Sequence, residues 1–210
     1  MLAQTSRTKS KDEAGFSLIE LLIAMTVTIV VMGAGVTLLG QGLAMRTREN
    51  ARSDALADAQ RSLNLMSREI ANSGFGLTDN GIVAGASDSN AASIHFRTNV
   101  NNTNNTTTDA DEDVTYVYQG SPNFAVARYD KNTNATTDVA TRIDSLQLTY
   151  YDSNGNVLNV AGTPSLVANA VRLGIAVSVT VPGIGAQPSS QVQVTSDVML
   201  RNAQTILDKY

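Results

Sequence analysis

The sequence predicts an α+β fold, in which a long N-terminal α-helical stalk, transmembrane and then amphipathic, packs on a C-terminal antiparallel β-sheet head. Three observations predict it. Residues 21–39 carry no charged side chain, apolar residues repeat with a helical period beyond Met45, and short alternating runs rich in Val, Thr, Tyr and Ile begin after Gly76. They divide the chain into four segments: 1–15, 16–45, 46–74 and 75–210.

The composition narrows the possible functions. The chain has 210 residues and a formal net charge of -4, so its surface does not favour DNA or RNA, and we expect no direct nucleic-acid binding. It has no cysteine and a single histidine, His95, which leaves no thiol nucleophile and little with which to build a metal cluster or a nucleophile–base pair. We therefore expect neither an enzyme nor a cofactor.

The first 15 residues are predicted to be a leader peptide. Residues 1–14 are polar or small and show no apolar periodicity. An ordinary secretory signal has its cleavage site after the apolar core, whereas Gly15 precedes the apolar run of this chain. Cleavage after Gly15 would remove only the polar part and leave Phe16 as the new N-terminus.

Residues 16–45 are predicted to be a transmembrane helix. About 20 helical residues, at roughly 1.5 Å each, cover a hydrocarbon core of about 30 Å. An ordinary signal anchor and a buried core helix are the alternatives for the apolar run alone. Glu20 favours another role, because a carboxylate at the centre of such a segment costs about 2 to 3 kcal/mol and needs a partner. The amine of a neighbouring chain that begins at Phe16 would be such a partner.

Residues 15–20 read Gly-Phe-Ser-Leu-Ile-Glu and lead directly into the apolar run. This arrangement resembles the N-terminal signal of type IV pilins and of the pseudopilins of type II secretion. The resemblance implies that a prepilin peptidase cleaves after Gly15 and methylates Phe16, and that Glu20 aids subunit assembly. It also implies three further partners: other pilin or pseudopilin subunits, an inner-membrane assembly platform and, before assembly, the lipid bilayer. The implied location is the bacterial inner membrane, with a single span and an exported head, and then a pilus or a periplasmic pseudopilus.

Residues 46–74 are predicted to continue the helix as an amphipathic stalk. One face carries apolar residues at steps of three and four: Leu56, Ala59, Leu63, Met66 and Ile70. Gly74 suits a left-handed cap that ends the helix. A coiled-coil or bundle helix of a sensory membrane protein is the alternative. Residues 67–76 are similar to the end of the stalk in PilW-type minor pilins and, less closely, in J-type pseudopilins.

Residues 75–210 are predicted to form the β-rich head. The candidate strands are 93–97, 114–118, 124–129, 143–151, 171–181 and 191–200. The last two alternate most clearly, so we expect them at the centre of one antiparallel sheet with a face on the stalk. Residues 152–156 predict a turn of the Asn-Gly kind. The Asn/Thr/Asp tract 99–113 is expected to be an exposed polar loop, too polar to bury.

The head offers weaker site candidates. Four residues have the early spacing of an oxygen-ligand calcium loop: Asp130, Asn132, Asn134 and Asp138. Ala135 and Thr141 stand where an EF-hand needs glycine and glutamate, so polar turn chemistry explains the pattern equally well. Calcium is therefore the alternative to an expected absence of metal. An acidic cluster lies at 109–113, and we expect His95 to be a structural strand residue. Two further pairs indicate either a contact surface or edge-strand packing: Arg128 with Tyr129, and Tyr150 with Tyr151.

These features together predict a minor type IV pilin, a structural or priming subunit of a pilus that serves adhesion, twitching motility or DNA uptake. A J-type minor pseudopilin of a type II secretion system is the alternative of the same class. A signal-anchored exported binding protein, unrelated to filaments, is the alternative from another class.

Overall fold

The computed structural model describes residues 15–101, 106–181, 183 and 188–203. These residues form two compact units that divide between Met45 and Arg46. One helix, α1 (Leu18–Ala71), supplies residues to both units, and the described strands all belong to the second unit. The helix and the antiparallel strands confirm the predicted α+β fold. Residues 1–14 of the expected leader and 102–105 of the expected polar loop lie outside the described residues.

Helix α1 is 54 residues long and contains no proline, so its hydrogen-bond ladder is not interrupted by a missing N–H. It begins where the Ser17 carbonyl accepts the N–H groups of Glu20 at 3.0 Å and Leu21 at 3.1 Å. It ends at Ala71 and is followed by turns. Gly74, in these turns, has the predicted left-handed conformation, with a φ of 73°. Its N–H donates to the Arg97 carbonyl at 2.8 Å and not to a carbonyl of α1, so it does not cap the helix in the predicted way.

The first sheet contains four antiparallel strands in the order β1-β2-β3-β4. Their bounds are β1 Ser93–Arg97, β2 Asp113–Gln119, β3 Ala125–Asp130 and β4 Ala135–Thr141. The register between β3 and β4 shifts at Val126 and Ala127. The tight β3–β4 turn, residues 131–134, contains Asn134 with a φ of 54°.

The second sheet contains three antiparallel strands in the order β5-β6-β7. Their bounds are β5 Ser145–Tyr151, β6 Arg172–Val181 and β7 Ser190–Met199. A 3₁₀ helix, Pro164–Asn169, lies in the connection from β5 to β6. The predicted turn at 152–156 is present, because the Asp152 carboxylate accepts the N–H groups of Asn154 at 2.9 Å and Asn156 at 2.8 Å.

One apolar core holds the second unit together. Helix α1 buries one face, made of Ala55, Ala59, Ser62, Leu63, Met66 and Ile70. These side chains share a core with residues of both sheets, including Phe96, Tyr116, Leu173 and Ile175. Each fully buried Leu, Ile or Phe contributes about 1.5 to 3 kcal/mol, so this face ties the helix to the sheets. The predicted position Leu56 is only half-buried, and its neighbour Ala55 takes its place in the core.

The expectation of a single sheet with the last two strands at its centre is wrong. Strand β6 is central in a three-stranded sheet, and β7 is an edge of that sheet. The two sheets separate between β4 and β5, where Arg142 adopts a φ of 63° and β5 pairs with β6. Strand β4 was not among the predicted strands, because its sequence is polar and most of it is exposed.

The expectation that residues 99–113 are too polar to bury is also wrong for part of the segment. Asn99, Glu112 and Asp113 are buried. The Glu112 carboxylate accepts the N–H of Asp109 at 3.1 Å and that of Asn101 at 3.4 Å. These hydrogen bonds compensate for the loss of water around the carboxylate and hold the two ends of the tract together.

Candidate processing and assembly site

The Gly15–Phe16 peptide bond lies in open surroundings just before the helix. Residues 15–17 are not helical, and a side chain built at Gly15 would meet no atom within 4 Å. Phe16 is 84% exposed. A protease needs an accessible bond outside regular secondary structure, and this bond has both properties within the described residues.

Glu20 lies in the first turn of α1 and is exposed. An acid is favourable there, because the unpaired N–H groups give a helix N-terminus a partial positive charge. Glu20 forms no ion pair with any residue that the structure describes.

The helix that follows is apolar and unburied. Large hydrophobic side chains remain exposed along it, among them Leu22, Ile29, Met32, Val36 and Leu39. It is the one helix of the described residues that is long and apolar enough to cross a membrane. So much exposed apolar surface is unstable in water and needs lipid or other apolar helices around it.

His95 lies in β1, as predicted, and both of its ring nitrogens contact acidic side chains of the same chain. Its Nδ1 is 3.0 Å from a carboxylate oxygen of Asp88, and its Nε2 is 2.5 Å from one of Asp113. The Arg97 Nε donates to the other oxygen of Asp113 at 3.1 Å. The imidazole thus links the turn before β1 to strand β2. The sequence gives no sign of these two acidic partners, because neither is close to His95 along the chain.

The four calcium candidates are not gathered around one point. Asp130 ends β3, Asn132 and Asn134 lie in the β3–β4 turn, and Asp138 lies within β4. Ala135 is opposite Asp130, and Asp138 is three residues further, about 10 Å along the strand. The expected absence of metal and its alternative, calcium binding, both stay untested.

The Asp130 carboxylate already has hydrogen-bond donors. It accepts the N–H of Asp111 and that of Asn132, each at 3.0 Å, and the Thr133 hydroxyl at 2.9 Å. Burial alone would raise the pKa of Asp130, but these hydrogen bonds outweigh it and hold the pKa below its usual range. Polar turn chemistry therefore accounts for this residue.

The acidic cluster at 109–113 is distributed over separate contacts. Asp111 accepts from Arg128, Glu112 accepts backbone N–H groups, and Asp113 faces His95 and Arg97. Across the ranges that the structure describes, no three His, Cys, Asp or Glu side chains form a group that could hold a metal ion.

Arg128 connects helix α1 to the first sheet. Its Nε donates to Glu69 at 2.9 Å, and its Nη2 donates to Asp111 at 2.6 Å. The Tyr116 hydroxyl donates to the same Glu69 oxygen at 2.8 Å. Burial lowers the pKa of Arg128. The contacts with Glu69 and then Asp111 raise the pKa by more than burial lowers it, so the net shift is upward.

Burial and the neighbouring Glu69 carboxylate raise the pKa of Tyr116. Tyr116 and Glu69 were not singled out from the sequence, although Glu69 lies one residue before the predicted core position Ile70.

The two tyrosines at 150 and 151 differ. Tyr150 is buried, and its hydroxyl lies 3.2 Å from the Asn90 carbonyl and 3.3 Å from that of Ser93. Burial raises the pKa of Tyr150. The ring of Tyr151 is half-exposed and stacks with the guanidinium of Arg172, 3.9 Å from the ring centre. Strand packing is thus the explanation for Tyr150.

A comparison with protein families bears on the N-terminal segment. The family model described as the prokaryotic N-terminal methylation motif matches residues 10–38, which include Gly15, Phe16 and Glu20. No curated protein matches the chain at a significant level. The matched motif is the cleavage site of prepilin peptidase, and together with the apolar helix it is consistent with a membrane-anchored pilin. The chain therefore carries the N-terminal signature of type IV pilins and pseudopilins, and this match supports its membership of that family.

Proposed function

We propose that the chain is a minor type IV pilin, a structural or priming subunit of a pilus that is assembled from the bacterial inner membrane. The proposal rests on three features that occur together. An open Gly15–Phe16 bond, a carboxylate at Glu20 in the first helical turn and an unburied apolar helix occur together inside the matched motif. The similarity of residues 67–76 to the end of the stalk in PilW-type minor pilins favours this subtype.

The proposed sequence of events begins at the membrane. Prepilin peptidase cleaves after Gly15 and methylates the amine of Phe16. The apolar part of α1 spans the bilayer until the assembly platform moves it into the filament, where the helices of other subunits replace lipid. The Glu20 carboxylate pairs with the N-terminal amine of an adjacent subunit and so sets the register, because an unpaired charge in apolar surroundings is costly.

The second unit supplies the exported head in this proposal. Its surface consists largely of polar loops and strands, and its function is structural and not enzymatic. We also propose that assembly needs no cofactor. Isothermal titration of the detergent-solubilised chain with calcium is expected to show no binding heat, and a saturable heat that Asp130→Asn abolishes would contradict this.

The decisive experiment is mass spectrometry of the N-terminus of the mature chain. We expect the chain to start at methylated Phe16 in cells with prepilin peptidase, and to keep residues 1–15 in cells without it. A mature chain that starts elsewhere, or matures without that enzyme, would indicate a signal-anchored binding protein instead.

A J-type pseudopilin would give the same N-terminus. The two are separated by deleting the gene and measuring both piliation and the secretion of type II substrates. Lost piliation with normal secretion is expected for the minor pilin, and the reverse result would identify a pseudopilin.

A further inference from the structure

Among the residues that the structure describes, the outer side of strand β7 is an open sheet edge. All ten residues of β7 pair with β6 on one side, and on the other side no backbone hydrogen bond joins β7 to any residue that the structure describes. Alternate residues of such a strand point their N–H and C=O groups away from the sheet. At about 3.4 Å per residue, the edge is about 34 Å long. A row of backbone donors and acceptors is complementary to an extended polypeptide.

The free side of β1, in contrast, is covered by the chain itself. The Arg97 carbonyl accepts the N–H of Gly74 at 2.8 Å, and the Arg97 N–H donates to Gly81 at 2.8 Å. The His95 carbonyl accepts the N–H of Val83 at 2.9 Å. These bonds use the backbone groups that an added strand would need.

The edges formed by β5 and β4 are protected in other ways. The Leu148 N–H donates to Ala91 at 2.8 Å, and the Tyr150 carbonyl accepts the N–H of Leu158 at 2.8 Å, which covers β5. Strand β4 has only seven residues, carries the exposed charge of Asp138 and has an irregular register. Bulges, charges and short length are the devices that prevent edge-to-edge pairing in natural sheets.

Strand β7 is neither short nor bulged, and its single charge is paired within its own sheet. Its sequence, Ser-Gln-Val-Gln-Val-Thr-Ser-Asp-Val-Met, contains no proline, lysine or glycine. Its pairing with β6 runs without a register shift. The one charge, on Asp197, is offset by Arg172 at 3.2 Å. A long, regular and nearly neutral edge of this kind readily accepts another strand.

A second copy of the chain is a poor occupant. In the second unit, Arg48 donates to the Pro188 carbonyl at 2.8 Å, and the hydroxyls of Ser67 and Ser196 lie 2.9 Å apart. Helix α1 and β7 therefore run in the same direction. Pairing of two β7 strands about a two-fold axis would make the two helices antiparallel, so the chains could not both continue from Arg46 into one membrane. This step rests on the proposed membrane anchoring.

We propose that the open edge of β7 binds an extended segment of a different polypeptide, which adds a fourth strand to the second sheet. The side chains of β7 define its chemistry. Val192 and Val194 are half-buried and favour β-branched aliphatic neighbours, whereas Gln191, Gln193 and Thr195 are exposed and favour uncharged polar ones. The partner segment thus alternates between aliphatic and polar residues and carries little charge.

Site-specific photo-crosslinking of the full chain, in the cell that makes it, tests this proposal. Gln191, Gln193 and Thr195 are replaced one at a time by p-benzoylphenylalanine, and the cross-linked peptides are sequenced by mass spectrometry. We expect the three positions to reach residues that step by two along one segment of one other polypeptide, as strand register requires. The same replacement at Thr136, on the β4 edge, is expected to give no such product.

A blocking variant completes the test. With the photoreactive residue at position 191, Gln193→Lys should remove the cross-linked product, because lysine on an edge strand opposes pairing. The matched change Thr136→Lys on β4 should leave the product unchanged.

Cross-links to another copy of this chain, cross-links scattered over several proteins, or no cross-links would each overturn the proposal. The N-terminal mass is measured on the same samples. A failure of the pilin proposal is therefore seen as an unprocessed Phe16, independently of the cross-linking result.

Discussion

Glu20 is the only ionisable side chain between Leu18 and Met45, so its effect can be isolated by mutation. We expect Glu20→Ala to be cleaved and methylated normally, because the peptide bond after Gly15 is unchanged. Incorporation into filaments should fall by about tenfold or more, since about 1.4 kcal/mol changes an equilibrium constant tenfold and the lost pair lies in apolar surroundings.

The measurements for this variant are the N-terminal mass and the fraction of the chain in sheared filaments. Glu49→Ala is the matched control, because it removes an exposed acid further along the same helix. Normal incorporation of Glu20→Ala would count against a role in assembly.

We expect Gly15 to determine whether the proposed leader can be removed. Its surroundings are open within the described residues, so we expect the peptidase, and not this chain, to limit the size of the side chain at this position. We expect Gly15→Leu to leave a longer precursor on a gel, whereas Gly15→Ala, a small change, is still cleaved. Complete processing of the leucine variant would show that glycine is not required there.

We expect Arg128 to stabilise the fold through its contact with Glu69. Arg142, an exposed arginine between β4 and β5, is the control. The side chains of Arg128 and Glu69 are 16% and 24% exposed, whereas those of Arg142 and Asp58 are 57% and 39% exposed. Arg128→Met leaves the Glu69 carboxylate with one donor fewer and should lower the free energy of unfolding by about 1 to 3 kcal/mol. Arg142→Met should change it by less than about 1 kcal/mol.

Both arginine variants are compared by chemical unfolding of the detergent-solubilised chain, followed by the near-ultraviolet circular dichroism of its tyrosines. Equal shifts of the two midpoints would mean that the Glu69 contact adds nothing beyond a surface ion pair.

At the scale of elements, the turn that follows α1 contains a glycine that no other residue can replace without strain. Gly74 has a φ of 73°, and a methyl group there would overlap the Asp79 carbonyl and the Asn80 backbone. Gly155 has a φ of 83° but open space around it. Gly155→Ala should therefore cost only the backbone strain, about 1 to 2 kcal/mol. Gly74→Ala should cost clearly more, because the backbone of residues 79 and 80 has to move.

Thermal unfolding of the two glycine variants distinguishes two effects. Both substitutions strain the backbone, but only Gly74→Ala also makes the new methyl group overlap neighbouring atoms. If the alanine at position 155 proves as harmful as the one at 74, the tight packing of the turn after α1 is not what limits stability.

The elements that alternate strongly are the ones that the sequence predicts well. Alternating valines in 171–181 and 191–200 place β6 and β7 to within one residue, because one face of each strand lies toward the core. Strand β4 gives no such signal, since most of its side chains are exposed and its pairing with β3 depends on the turn at 131–134. The division into two sheets falls between β4 and β5, where Arg142 has a positive φ that has no local sequence signature.

The candidate sites also differ in how well the sequence predicts them. Residues 15–20 form a contiguous motif, so the sequence alone identifies the processing segment. Other contacts join residues that are far apart in the chain. Glu69 contacts Arg128, and His95 contacts Asp113. Pairs of this kind become visible only in the folded structure, where the strands are in register. The buried Glu112 was missed for a related reason, because its hydrogen-bond donors come from the loop that it folds.

At the scale of the whole molecule, the same helix has two different environments. Before Met45 its large apolar side chains are exposed, and beyond Arg46 one face is buried in the core of the second unit. The first arrangement favours lipid or other helices as surroundings, and the second is that of an ordinary water-soluble domain. Mutations in the two parts should therefore change different properties of the protein.

Two methionines of α1 test this division directly. Met66 is 0% exposed and Met32 is 68% exposed. Met66→Ala leaves a cavity in the core and should lower the free energy of unfolding by about 2 to 5 kcal/mol, while cleavage after Gly15 continues. Met32→Ala removes no core contact of the second unit, so its unfolding midpoint should stay unchanged. Its retention in membranes and filaments should fall slightly, since each buried methylene contributes about 0.8 kcal/mol in apolar surroundings.

Chemical unfolding and membrane fractionation are measured on both variants. A Met32→Ala chain that unfolds as easily as Met66→Ala would mean that the apolar part of the helix is buried by its own head, in which case it could not serve as a membrane span or a filament core.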